Sequence, residues 1–134
     1  ENIPIWGINS LAQFFLEEMV NYQQQFAESC NQVREATRIL YDELQSIPYL
    51  YPYPSQGNFV MCETLDGFTA TQLTASLYQE FRMLINDCSH KRGLSDSFVR
   101  IASRTKEDNV QLVQALRQLA DAIPGKDRRV IGNI

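Results

Sequence analysis

The chain has 134 residues, 44% of them hydrophobic and 21% charged, which suits a single globular domain with a core of its own. A net charge of −4 and the lack of a Lys/Arg stripe argue against a nucleic-acid partner, whose phosphates demand clustered cations. No apolar run reaches the roughly 18 residues of a membrane span, and the start carries no basic-then-apolar leader.

Three widely spaced cysteines, Cys30, Cys62 and Cys88, fit neither a disulfide framework nor a paired zinc motif, so a reduced, cytoplasmic setting is expected. The opening Glu1-Asn2-Ile3, without methionine, leads to the expectation of an excised fragment.

In chain order, Leu11, Phe15, Met19, Tyr22, Phe26, Cys30, Val33, Thr37, Leu40 and Leu44 recur at helical spacing and predict a long helix over about 10–46. Asn9 and Ser10 are its N-cap candidates and Pro48 its far limit. Such a helix would be roughly 50 Å long, against a radius of gyration of about 14 Å for a domain of this size. Part of the stripe is therefore expected to pack on something outside the chain, or the helix to break around 27–31. A coiled-coil seam is the alternative, disfavoured by the aromatic and long polar residues on the stripe.

The Pro/Tyr-rich stretch 47–57 permits only an edge strand or an extended loop. Residues 58–63 read as a buried strand, Asp66-Gly67 as a turn, and Thr69 with Gln72 as a capping box. The helix that follows uses Leu73, Leu77 and Phe81 as its inner face. Short strands are expected at 83–86 and 98–102. Thr105 caps a last helix, with Glu107 and Asp108 in its first turn and Leu112, Leu116, Leu119 and Ile123 facing inward. Pro124-Gly125 ends it, and 126–134 is expected to be a frayed tail. The order predicts an α+β fold, a small, mostly antiparallel sheet covered by helices, behind a long N-terminal helix.

Arg100 is the most informative side chain. Alternation puts Val99 and Ile101 on one face of their strand and Phe98, Arg100 and Ala102 on the other. A guanidinium in an apolar strand is expected to lose hydration and to need a partner. That partner is either an acid of the same chain, the commoner case, or a ligand carboxylate, which suits the arginine fork. From spacing, Arg104 is expected in a surface ion pair or in contact with the helix layer, and His90-Lys91-Arg92 is either a solvated loop or an anion contact. Cys88 and His90 are too few for a metal site. With a single histidine and no Gly-rich phosphate loop, neither a nucleophilic triad nor a nucleotide cradle is legible.

Two segments carry a family likeness. Pro54-Ser55-Gln56-Gly57-Asn58-Phe59-Val60, followed some forty residues on by Phe98-Val99-Arg100-Ile101-Ala102-Ser103-Arg104-Thr105-Lys106-Glu107-Asp108-Asn109, resembles the C-terminal small domain of class I/II aminotransferases. Within these fold-type I enzymes the chain looks most like histidinol-phosphate aminotransferases and threonine-phosphate decarboxylases. Ile5-Trp6-Gly7-Ile8-Asn9-Ser10-Leu11-Ala12 is similar to the passage from the large domain into the connecting helix, and Leu84-Ile85-Asn86-Asp87-Cys88 to the strand before the arginine strand.

The resemblance implies a small domain over 1–125, with 1–46 as the connecting helix region. It implies pyridoxal phosphate as cofactor, held as a Schiff base by a lysine of the large domain and serving as an electron sink. It further implies that Arg100 clamps the substrate α-carboxylate, with Asn58 and Arg104 nearby. The cofactor lysine, the aspartate facing the pyridine nitrogen and the phosphate loop have no counterpart here, since Lys91, Lys106 and Lys126 lack the family's lysine context. Ser89-His90-Lys91-Arg92-Gly93 resembles a Ser-x-Lys cofactor motif but falls in the wrong domain order.

The expected function is thus one part of a transaminase acting on an amino acid and a 2-oxo acid, homodimeric when full-length and inactive without the large domain. A decarboxylase of a phosphorylated amino acid, with residues 90–92 near the phosphate, is the alternative within the family. A non-catalytic binding or oligomerisation module of the same fold is the third reading, and the upstream reading frame discriminates it from the enzyme.

Overall fold

Residues 7–65 and 67–122 are described in a computed structural model, the side chains of 121 and 122 excepted. Helix α1 (Ser10–Met19), a 3-10 turn (Val20–Tyr22) and helix α2 (Gln23–Leu44) come first. Strands β1 (Leu50–Tyr53) and β2 (Phe59–Thr64), helix α3 (Ala70–Phe81), strands β3 (Asn86–Asp87) and β4 (Phe98–Ala102) and helix α4 (Lys106–Ala122) follow. The chain divides into two units, residues 1–32 and 33–134.

In the first unit, Asn9 caps α1 as expected, its side chain accepting from the Ala12 N–H at 2.8 Å. The helical pattern is interrupted at Val20–Tyr22, and α2 runs unbroken through 27–31, where a break had been one of two expectations. No residue of α1 is buried, and Leu11, Phe14, Phe15 and Leu16 are all more than half exposed.

The second unit holds the sheet, in the order β1-β2-β4-β3 with every pairing antiparallel. β1 is an edge strand, which is why it tolerates Pro52, whose missing N–H would disrupt a central ladder. One sheet face is apolar: Leu50, Val60, Cys62, Val99 and Ile101 are buried there. They form one core with Leu40 and Leu44 of α2, Leu73 and Leu77 of α3, and Val113, Leu116 and Leu119 of α4. Burial of this face is the main stabilising term, since each fully buried Leu, Ile or Val contributes about 1.5–3 kcal/mol.

The Thr69–Gln72 capping box opens α3, with both reciprocal bonds present, and Thr105 Oγ1 accepts the Asp108 N–H at 3.1 Å to start α4. Gly67 adopts φ +82, which explains a glycine in the expected turn; its partner Asp66 lies outside the described residues. Ile5, Trp6, Ile123, Pro124-Gly125 and the tail 126–134 also lie outside them.

The strand expected at 83–86 is displaced. Arg82 takes a left-handed cap (φ 59) and the Met83 N–H turns back to the Leu77 carbonyl at 3.2 Å, so Met83 closes the helix. Pairing with β4 begins only at Asn86. The architecture is α+β, as the patterning indicates.

Candidate functional site on the open face of the sheet

The other face of the sheet carries the site. The register sets Tyr53 beside Met61, Met61 beside Arg100 and Arg100 beside Asn86, so one row crosses all four strands. Alternation puts Tyr51, Phe59, Glu63, Phe98 and Ala102 on the same side. Arg100 is exposed in the middle of β4 rather than stripped of water, so it requires no internal counter-ion. Arg38, Arg104 and Arg117 form ion pairs, with Glu35 and Asp42, Asp108, and Glu43 respectively. None involves Arg100, so the acid partner expected as the commoner case is not found among the described residues. Its guanidinium instead lies over the Phe59 ring, 5.3 Å from the centroid.

Glu63 shares that face, but the Tyr53 hydroxyl donates to its carboxylate at 2.8 Å. This bond holds the Tyr53 phenol above its ordinary pKa. Tyr53 also stacks on Phe98 and meets Tyr51 edge-on. The face is therefore an aromatic and polar surface with Arg100 at its centre, which has no acid partner among the described residues.

Asn58 and Arg104 flank the far end of the β2–β4 ladder. The Ser103 N–H donates to the Asn58 carbonyl at 2.9 Å, while the Asn58 side chain is exposed. Arg104 is exposed and pairs with Asp108, Nε to Oδ2 at 2.9 Å, the surface ion pair its spacing suggested. Arg100 sits three ladder positions from Asn58, about 10 Å along the strand, so the sheet does not bring it into contact with this pair. Buried Asn109 fixes the turn, accepting the Arg104 N–H at 2.9 Å and donating to Ser103 Oγ at 3.2 Å. His90, Lys91 and Arg92 are exposed in the turn between β3 and β4.

Phe59, Tyr53 and Glu63 escaped sequence reasoning, because their place on the face of Arg100 depends on the register between strands and not on alternation within one strand. An open groove of about 510 Å³ lies between Arg34, Thr37, Arg38 and Tyr41 of α2 and loop 54–57. None of Arg100, Asn58 and Arg104 lines it, and Arg38 there is already bonded to Glu35 and Asp42.

Pyridoxal phosphate is held through a lysine, and no described lysine stands beside Arg100. The described lysines, Lys91 and Lys106, are both exposed, one in a turn and one at the first position of α4, and neither lies on the open face; Lys126 falls outside the described residues. No three His, Cys, Asp or Glu side chains among them are grouped to hold a metal, and no described helix is long and apolar enough to cross a membrane.

An α+β domain with Arg100 on the open face of its sheet, without an acid partner among the described residues, is what the fold and site define. The chain belongs to the class I and II aminotransferase family, which it matches over residues 4–116. It is 34% identical over 118 residues to a CMP-5'-(3-aminopropyl)phosphonate synthase from Streptomyces rubellomurinus, covering 87% of this chain and 19% of that one. The L-threonine-O-3-phosphate decarboxylase of Porphyromonas gingivalis superposes with a TM-score of 0.73 at 27% identity, over 87% of this chain and 35% of that one. The histidinol-phosphate aminotransferase of Clostridium acetobutylicum shares the fold, with a TM-score of 0.80 at 24% identity over 91% and 36%. The chain thus spans between about a fifth and about a third of the length of these three proteins.

Proposed function

We propose that residues 1–125 are the C-terminal small domain of a pyridoxal-phosphate-dependent enzyme, with 1–46 its connecting helix region and 126–134 a tail. In this reading Arg100 binds the α-carboxylate of an amino-acid substrate. The observation that carries it is an exposed guanidinium, central in its sheet face and without an acid partner among the described residues. A carboxylate meeting it gains two parallel charge-assisted hydrogen bonds. Asn58 and Arg104 border the same end of the sheet and are the secondary candidates for substrate contact.

The cofactor belongs to a large domain outside this chain, and the isolated small domain is inactive. The full enzyme is a cytoplasmic homodimer, consistent with free Cys30, Cys62 and Cys88. The exposed apolar residues of α1 are the surface that the large domain or the dimer partner covers.

The reaction in the leading reading is transfer of an amino group between an amino acid and a 2-oxo acid. Decarboxylation of an amino acid bearing a phosphate or phosphonate is a second reading. It is favoured because one relative at 27% identity is named for decarboxylating threonine phosphate and another at 29% for decarboxylating serine phosphate. Both need the carboxylate held. Incubating the full-length enzyme with phosphorylated amino acids, with and without a 2-oxo acid, separates them. CO2 release independent of the oxo acid supports decarboxylation; amino transfer without CO2 supports the transaminase. Pyridoxal phosphate mixed with this chain alone should leave no bound visible absorbance after desalting. Retained absorbance would place a cofactor site within these residues.

A further inference from the structure

We propose that Phe59 is a positioning residue for Arg100, seated against Gly57 so that its ring supports the guanidinium in the pose that receives a carboxylate. This rests on the carboxylate-binding reading of Arg100 and adds what sets its geometry. Phe59 pairs with Ala102 and Met61 with Arg100, so Phe59 and Arg100 are diagonal neighbours on one face of an antiparallel ladder, within reach of an aromatic and a long side chain. The guanidinium carbon lies over the ring, 5.3 Å from its centroid.

An aromatic ring attracts a cation without using its N–H donors, so all five guanidinium donors stay free for an incoming acid. An internal Asp or Glu would have occupied them. The face does carry Glu63, two residues along β2 from Met61, but Tyr53 holds that carboxylate at 2.8 Å.

The ring's own seat is made by a missing side chain. A Cβ on Gly57 would stand 3.1 Å from Phe59 Cε1, a tight contact that would make the ring give by a few tenths of an ångström. The chain of placement runs from Gly57 to Phe59 to Arg100.

The test compares kcat/KM of the holoenzyme for its amino-acid substrate and for the corresponding amide, because a merely structural role would lower both equally. Phe59→Leu is expected to reduce the acid-over-amide ratio by about two- to fivefold, the scale of an exposed cation–π contact. Phe59→Tyr, which keeps a ring, is expected to preserve the ratio. Phe59→Met supplies a second non-aromatic replacement should the leucine variant not accumulate. An unchanged ratio in the non-aromatic variants, alongside a reduced ratio in Arg100→Ala, overturns the role of Phe59 and leaves Arg100 in place. An unchanged ratio in Arg100→Ala removes the carboxylate reading and this inference with it.

Discussion

The Tyr49 hydroxyl donates to the Leu116 carbonyl at 2.7 Å, joining the entry to β1 with the middle of α4 across 67 residues of sequence. Both residues are buried, Tyr49 stacks on Phe68, and burial pushes the phenol well above its ordinary pKa. The edge strand is thus bonded to the helix layer as well as packed on it. The sheet's covered face is held from two directions, which steadies the open face that carries Arg100.

Tyr49→Phe should therefore destabilise the chain by about 1 kcal/mol, the net worth of one intramolecular hydrogen bond. Urea unfolding measures it. A midpoint equal to the parent's would mean that the Leu116 carbonyl, already in its helix ladder, gains nothing from the hydroxyl.

Asp87 predicts an acid-dependent loss of stability. Its carboxylate accepts from Thr71 Oγ1 at 2.7 Å and from the Ser89 N–H at 2.8 Å, and the Thr71 bond leads in holding its pKa below the ordinary 3.8. A folded-state pKa below the unfolded value contributes stability above that value and loses it as pH falls through the folded one. The stability difference between parent and Asp87→Asn should hold from about pH 7 to about pH 5 and shrink as pH falls below about 4. A gap that stays constant below that pH would show that the carboxylate charge plays no part.

Cys62 should be inert in the native state. It is fully buried in the core, and desolvation pushes its thiol up to about 12, so it stays protonated at neutral pH. Cys30 is half-buried and Cys88 buried. Alkylation followed by peptide mass spectrometry should find Cys30 modified first and Cys62 only after denaturation. Equal rates at Cys30 and Cys62 would mean that the core opens more readily than its packing implies.

The legible parts of the fold were those written in local pattern. Strand β4, the Thr69–Gln72 box and the edge placement of the proline-rich strand follow from alternation, capping chemistry and the missing proline N–H. Met83–Asn86 misled because Arg82 occupies a left-handed conformation usually left to glycine, and no residue there advertises the helix end. The interruption at Val20–Tyr22 likewise carries no proline or glycine to mark it. For the site, the alternation in β4 gave the face of Arg100, but its exposure and its Phe59 neighbour depend on a register that joins β2 to β4 across some forty residues. Family resemblance supplied the carboxylate role, which single-sequence physics left open against an ion pair.

The most direct test is equilibrium binding of a carboxylic acid analogue lacking the amino group to the holoenzyme and its Arg100→Ala variant. Loss of a charge-assisted pair predicts binding weaker by about 10- to 100-fold, with the cofactor's visible absorbance unchanged. Binding equal to the parent's would contradict the account, because the acid would then be held by some other group.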